Sequence, residues 1–368
     1  MPPSRPLHII YYNARSLLPK LDELCAVVEA SNPDVICIVE SWLSDEILDD
    51  EIAIDNYQIL RLNRNRHGGG LVMYIHSSLS YQVLSAGANG HELLVVSVST
   101  LNSLCKFCIS LFYRPPSSVD PIDTLCMTLF GLDPSVFDSF ILLGDFNVDY
   151  FCITTSLYKR LAECLSPFSL RQVVQSATHH SPSGSSSLID LVFISNVSQL
   201  GSCSVIPPLA TSDHNGLQLE INQPTLPVWE PRKARLVWRY KEANLDLAKI
   251  LIENTNWDSL ITEDINVSLA KWQARFLSIM EQCIPRCTLP KRRNLPWLSK
   301  NIIQSVRRRN CLYKKAKRSD NSNLYQKYKQ LRNKVTSKLR DAKREYMRRL
   351  NPHDKNDFWK AVKYLTKR

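Results

Sequence analysis

What constrains this chain most is an arrangement repeated through its first 222 residues: short apolar runs that give way at one end to a polar or ionisable residue. Leu7–Tyr12 is followed by Asn13, and Val35–Val39 by Glu40. Phe107–Tyr113 ends in a phenol, and Phe140–Leu143 runs into Gly144-Asp145-Phe146-Asn147. Leu188–Ile194 contains Asp190, and Gly216–Ile221 is introduced by Thr211-Ser212-Asp213-His214. Leu71–Ile75 and Leu93–Ser99 are two further runs. Runs of this length, bounded by turn residues, read as buried strands. Helical spacing appears between them at Leu17–Ala30, closed by Asn32-Pro33, and at Leu125–Phe130 and Leu157–Leu165. Strands with interspersed helices predict an α/β (α+β) fold around stacked sheets. Side chains at strand ends and in the loops beside them then gather at one rim of a rigid scaffold.

The formal charge of +11 is the balance of two unlike parts. Residues 1–222 hold 11 Lys and Arg against 22 Asp and Glu, a net of −11, whereas residues 223–368 hold 35 against 13, a net of +22. We therefore expect an acidic domain over 1–222 and a basic region over 223–368, with Pro224, Pro227 and Pro231 at the join. The basic region reads as mostly helical. Leu324, Tyr328, Leu331, Val335, Leu339, Ala342, Tyr346 and Leu350 recur at steps of three and four, with Lys and Arg on the other faces. A basic extension of this size ordinarily meets a polyanion, and Tyr313, Tyr325, Tyr328 and Trp359 lie among its cations. A solvated arm without a partner, and a basic helix on an anionic membrane, are the other readings. No apolar stretch is long enough to span a membrane, and the basic N-terminus lacks the apolar core of a signal peptide. A nuclear or cytoplasmic location is expected. The 11 cysteines, odd in number and without paired spacing, fit core thiols better than a disulfide framework.

The acidic part offers Glu40, Asp145, Asp190 and Asp213 with one imidazole, His214, and one phenol, Tyr113. Hydrolysis of a phosphodiester needs a divalent cation on the phosphate, a carboxylate to aim a water, and donors for the charge of the transition state. Each residue alone also reads as ordinary structure: a solvated strand end, a capped turn at Gly144–Asn147, a tight turn at His67-Gly68-Gly69-Gly70. Asp190, inside an apolar run, needs a partner to be tolerated there, and His214 is a candidate.

In their order along the chain, the motifs resemble the exonuclease–endonuclease–phosphatase superfamily over roughly residues 7–221. They are Asn13, Val39-Glu40-Ser41-Trp42, His67-Gly68-Gly69-Gly70, Tyr113-Arg114-Pro115-Pro116, Gly144-Asp145-Phe146-Asn147, Ser187-Leu188-Ile189-Asp190 and Ser212-Asp213-His214. That resemblance implies a four-layer αββα sandwich of two mixed sheets with the active site at one rim. It implies a magnesium ion, with manganese as a substitute, on Glu40 and Asn13, and Asp213 as a further carboxylate beside it. Asp145 would aim or deprotonate the water, and Asn147 would help hold water and phosphate. Tyr113 would donate to the phosphoryl oxygen, and His214 would contact the scissile phosphate with its ring fixed by Asp190. Arg15 stands where many relatives carry an acid, so no metal-binding role passes to it. Thr178 matches a hydroxyl that touches DNA in retrotransposon members.

Within the superfamily, Tyr12-Asn13-Ala14-Arg15-Ser16-Leu17 and Tyr113-Arg114-Pro115-Pro116 resemble the endonucleases of LINE-type (non-LTR) retrotransposon polyproteins. The basic region resembles the linker before their reverse transcriptase. The chain ends at Arg368 without a Tyr-x-Asp-Asp sequence, so a copy truncated before that enzyme, a fragment of a longer gene or a domesticated remnant is expected. The resemblance implies duplex DNA as substrate, with RNA as a second candidate partner of the basic region. A phosphatase or phospholipase of the same superfamily, and an inactive nucleic-acid-binding remnant, are the alternative functions.

Overall fold

The computed structural model describes residues 6–100, 105–118, 120–181, 184–222, 236–288, 295–319, 321–351 and 353–365. The proline-marked join at Pro224, Pro227 and Pro231 lies outside them. In chain order the strands of the first unit are β1 (Leu7–Asn13), β2 (Val35–Val39), β3 (Tyr57–Leu62), β4 (Leu71–His76), β5 (Leu79–Ala86), β6 (Leu93–Thr100) and β7 (Lys106–Tyr113). They continue with β8 (Ser139–Asp145), β9 (Arg171–Gln172), β10 (His179–His180), β11 (Ser186–Ser187), β12 (Asp190–Ile194), β13 (Leu200–Ile206) and β14 (Gly216–Ile221). The helices are α1 (Leu21–Ser31), α2 (Asp49–Ile52), α3 (Asp120–Phe130), α4 (Ser156–Leu165), α5 (Leu245–Glu253), α6 (Ile265–Cys283), α7 (Lys300–Ser319), α8 (Ser322–Arg349) and α9 (Lys355–Leu365).

Two six-stranded sheets form the body, in the orders β13-β14-β1-β2-β4-β3 and β5-β6-β7-β8-β12-β9. Each is mixed: β1 runs parallel to β2 and β7 parallel to β8, while the other pairings are antiparallel. The period-two alternation of side chains sorts the first sheet into two apolar faces. Leu7, Ile9 and Tyr11 of β1, with Val35, Cys37 and Val39 of β2, face the second sheet. Ile10 and Tyr12, with Ile36 and Ile38, face outward and are covered by helices. Ile122 and Leu125 of α3 and Leu161 of α4 join the core on the side of the second sheet. The architecture is the αββα sandwich.

The chain around Pro19 departs from the expected helix: Leu18–Lys20 form a single 3-10 turn and α1 begins at Leu21. The residue that follows α1, Asn32, adopts the left-handed conformation, φ +48°, and closes it as expected.

The compact units cut the chain differently from the charge boundary at 222/223. One contains Met1–Val228 and Arg293–Arg368, and the other is Trp229–Arg292. The reason lies in the apolar stripe of the basic helices. Leu295, Trp297, Leu298, Ile302 and Val306, then Val335 and Leu339 of α8, are buried in one cluster with α1 and the outer face of the first sheet. At 25 cal/mol per Å², each fully buried side chain of this size stabilises by about 1.5–3 kcal/mol. Polar ties accompany the packing. Arg309 of α7 is paired with Glu23 of α1, and Lys343 of α8 lies 2.8 Å from Asp22. The second unit holds α5, α6 and a small antiparallel ladder of β15 (Leu236–Trp238) and β16 (Arg286–Thr288). Within it Trp272 stacks on Phe276 with ring centroids 5.1 Å apart.

Candidate active site

The site is assembled by strand register. Tyr113 pairs with Asp145 across β7 and β8, and Asp145 pairs with Asp190 across β8 and β12. Three ionisable side chains thus form one row over three neighbouring strands. In the other sheet Asn13 is level with Val39, the residue before Glu40. Two side chains of β1 bridge the sheets: the Asn13 amide donates to Asp145 Oδ2 at 3.0 Å, and the Tyr11 hydroxyl donates to Asp190 Oδ1 at 2.7 Å.

Asp190 is fully buried, and its second oxygen lies 2.9 Å from His214 Nδ1. Burial opposes the charge on His214, but the carboxylates of Asp190, Asp145 and Asp213 outweigh it and raise its pKa to about 9. The ring is an imidazolium at neutral pH, oriented by Asp190 and leaving Nε2 as the other donor. Asp145 is raised to about 7, first by burial and then by the negative charge of Asp190, against the relief given by His214 and the Asn147 amide. A carboxyl with that pKa can take and return a proton at neutral pH.

Glu40 adopts φ +54°, a conformation costly for a residue with a side chain. Its carboxylate accepts from Trp42 Nε1 and from the Tyr113 hydroxyl. Burial and the Glu40 charge push the Tyr113 pKa up, so the phenol stays protonated and donates. The backbone after Glu40 is held by the glycine turn: Ser41 N donates to Gly70 O at 3.1 Å and Trp42 N to Gly69 O at 3.0 Å. Gly70, at φ +88°, has room for no side chain, because a Cβ would lie 2.5 Å from Ser41 Oγ. The turn reading of His67–Gly70 is the one the structure shows.

Asn13, Glu40, Tyr113, Asp145, Asn147, Asp190 and His214 are therefore brought to one rim. Asp213 sits there with different company. Its Oδ2 pairs with Arg15 and lies 3.6 Å from His179 Nε2, while its buried Oδ1 has no hydrogen-bond partner among the described residues. The side chains of His179, Asp213 and His214 form one group whose ligand atoms lie within 4.8 Å of one another, and those of Asp145, Asp190 and His214 form a second. The Asn147 amide donates to Arg114 O at 2.7 Å, and its own N–H caps Asp145 Oδ1 at 3.0 Å. Thr178 does not reach the surface: it is fully buried, and its hydroxyl accepts from Asp190 N at 3.0 Å. The DNA contact expected of it is replaced by support of Asp190.

Hard oxygen donors meet the requirement of a small divalent cation. The carboxylate of Glu40, the amide oxygen of Asn13 and the carboxylate of Asp145 supply them at adjoining strand ends, and the unpartnered Asp213 Oδ1 is a further one. Repulsion from Asp190 and Glu40 that raises Asp145 is what a cation would relieve. The residues present fit a metal ion.

Arg114 was not singled out from the sequence for a role of its own. Its guanidinium is buried under the loop after β8 and donates to Phe146 O at 2.6 Å, Asn147 O at 2.5 Å, Pro115 O at 3.0 Å and Pro116 O at 3.2 Å. It locks Asn147 in place. Tyr11, Trp42 and His179 were likewise missed, and only their neighbours in sequence pointed to them.

Residues 10–214 match the family described as Endonuclease/Exonuclease/phosphatase family. Residues 300–358 match the description Female sterile protein K10 C-terminal domain. No curated protein matches the chain. Among solved structures it is similar to the AP endonuclease of Leishmania major, with TM-score 0.51 and 18% identity over 60% of this chain and 89% of that one. It is also similar to the endonuclease domain of TRAS1, a telomere-specific non-LTR retrotransposon, with TM-score 0.48 and 14% identity over 59% of this chain and 98% of that one. The 3′–5′ exonuclease of Neisseria meningitidis follows with TM-score 0.47 and 14% identity, over 59% of this chain and 100% of that one.

Proposed function

We propose that this chain, which belongs to the Endonuclease/Exonuclease/phosphatase family, hydrolyses phosphodiester bonds of duplex DNA with a divalent metal, magnesium before manganese, as a nicking endonuclease of the LINE type. The observation that carries the reading is the pairing of two units at one rim: Asp145, held by Asn13, beside the Asp190–His214 dyad. A phosphate placed between them meets a proton acceptor on one side and a cationic donor on the other.

Glu40 and the Asn13 amide oxygen would hold the metal, which supplies charge neutralisation at the phosphate and the leaving oxygen. Asp145, held by Asn13, aims the attacking water and takes its proton. His214 donates from Nε2 to a phosphoryl oxygen, with Asp190 fixing the ring and stabilising its charge. Tyr113 stays neutral and donates. Asn147 and Arg114 hold the loop that carries Asp145. The LINE assignment is supported by Tyr12-Asn13-Ala14-Arg15-Ser16-Leu17 and by the basic helices.

Plasmid nicking tests the proposal. The purified full chain should convert supercoiled to open-circular DNA in magnesium and stop in chelator. Glu40→Ala and Asp145→Ala should each lose about 10²–10⁴-fold or more. Nicking by either variant at the parent's rate in excess magnesium would overturn the assigned site. Equal cutting of duplexes with and without one abasic site is expected, and a strong preference for the lesion would move the assignment to DNA repair.

A further inference from the structure

A hollow of about 390 Å³ lies where α8 passes the loop that leads into Asp213 and His214. Its lining includes Ala210 and Thr211 on the loop side, and Arg332, Arg340, Arg344 and Asp341 from α8. Thr211 stands two residues before Asp213 and three before His214. Arg332, Arg340 and Arg344 are separated by eight and four residues, so one helix face carries all three. Their α-carbons span three turns, ~18 Å at 1.5 Å per residue. That is the axial length of about five base steps at 3.4 Å each. Asp341 offsets part of the charge, lying 3.6 Å from Arg344 Nη1 and accepting from Ser337 Oγ at 3.1 Å. The positive balance is nonetheless large: residues 300–349 carry 18 Lys and Arg against 3 Asp and Glu, a net of +15.

We propose that this hollow is a second binding place for the nucleic-acid backbone, in which Arg332, Arg340 and Arg344 take phosphates of the strand whose scissile bond lies at His214. The inference rests on DNA as the substrate. Guanidinium forks suit phosphate oxygens, and an arginine row beside the catalytic loop fixes the duplex in register without reading bases. An anionic membrane would meet the same charges, but a surface-lying helix also needs an apolar face to bury. The apolar stripe of α7 and α8 is already spent on the core, with Ile302, Val306, Val335 and Leu339 all buried. Among the described residues of α7 and α8, Tyr325 is the one large apolar side chain that is exposed. α7 and α8 therefore offer a cationic face without an apolar wedge; Phe358 and Trp359, exposed on α9, are not part of the hollow's lining, and nucleic acid is the partner that fits the hollow.

The test uses the full-length protein in chelator, so that binding is read without cleavage. Affinity for a fluorescent DNA duplex is followed across a salt series for the parent, for R332Q/R340Q/R344Q, for R332K/R340K/R344K and for K159Q, an exposed charge on α4. Each phosphate that is no longer neutralised should lower the log–log salt slope by about 0.9. The triple glutamine variant should lose about two to three such units of slope, the lysine variant should keep most of it, and K159Q should match the parent. Thermal melts confirm that the variants are folded. Equal slopes for the parent and the glutamine variant would overturn the inference. So would a loss seen only on phosphatidylcholine–phosphatidylserine vesicles or only on an RNA duplex. Failure of nicking with an intact slope effect would refute the proposed catalysis and leave this binding place standing.

Discussion

Arg309 and Glu23 make the strongest quantitative case that the basic helices are part of the catalytic body. Their side chains are 1% and 5% exposed and are paired to each other, with Asn310 Oδ1 accepting a second bond from Arg309 at 3.1 Å. Below them lies Tyr12, fully buried, whose pKa is raised by burial while the Arg309 charge lowers it. Tyr12 faces outward from the first sheet, whereas the next residue of β1, Asn13, reaches Asp145 on the other side. Replacing Arg309 by Met keeps the volume but leaves the Glu23 carboxylate buried without a counter-charge. Breaking a buried pair in this way costs about 3–5 kcal/mol. With an m-value of about 3 kcal/mol/M in urea, the unfolding midpoint of the first unit should fall by about 1–2 M. The double variant Glu23→Leu with Arg309→Met removes both charges and should return to within about 1–2 kcal/mol of the parent. Urea titrations of the four proteins by far-ultraviolet circular dichroism measure this. A cost under about 1 kcal/mol for Arg309→Met, or strictly additive losses in the double variant, would refute the claim that a buried pair clamps α7 to α1.

Three other outcomes are expected. His214→Ala and Asp190→Ala should each be severe in nicking, and the double variant little worse than the worse single, because both act through one imidazole; additive losses would separate them. Arg114→Lys cannot make the same set of bonds to backbone carbonyls, so the loop of Asp145 shifts and kcat should fall by about 10–100-fold with a near-parent KM; an unchanged kcat would make Arg114 a packing residue alone. In metal-free protein, protonated His214 stabilises the fold because its pKa stands at about 9 against an ordinary 6.5. That contribution, about 3 kcal/mol, is complete below the ordinary value and is lost as pH rises through the folded one. Urea midpoints in chelator should therefore decline between about pH 6 and 10 in the parent and stay flatter in His214→Gln, and parallel curves would refute the shift.

The inner strands β1, β2, β4, β6, β7, β8, β12 and β14 were legible as apolar runs because both their faces are covered. In the two six-stranded sheets the strands that the sequence hid were β3, β5, β9 and β13, and each is an edge of its sheet; the short pairs β10–β11 and β15–β16 were hidden as well. An edge strand keeps polar and half-exposed positions, as the pattern of Leu79–Ala86 shows, and so loses the continuous run that marks its neighbours. The row Tyr113, Asp145 and Asp190 could be read because strand ends carry it. The partner of Asp190 on β1 could not, since Tyr11 is 179 positions away and looks like any apolar-run tyrosine. The stripe of α8 was legible too, and implied that one face packs on something, but not on what. Only packing shows that the stripe belongs with α1 and the outer face of the first sheet.

The first unit is interrupted in sequence, since Trp229–Arg292 stands between its two segments. Asn215, the neighbour of His214, receives the Tyr313 hydroxyl at 2.8 Å across 98 positions. At roughly 5–20 residues per second of synthesis, the loop that carries Asn215 waits on the order of 5–20 s for that tyrosine to be made. During the wait Ile10, Tyr12, Ile36 and Ile38 lack the covering that Ile302, Val306, Val335 and Leu339 later provide. A nascent chain therefore has only α1 over this apolar sheet face until the later helices arrive. The last segment of the first unit thus closes over α1 and the outer face of the first sheet only after the whole of Trp229–Arg292 has been made.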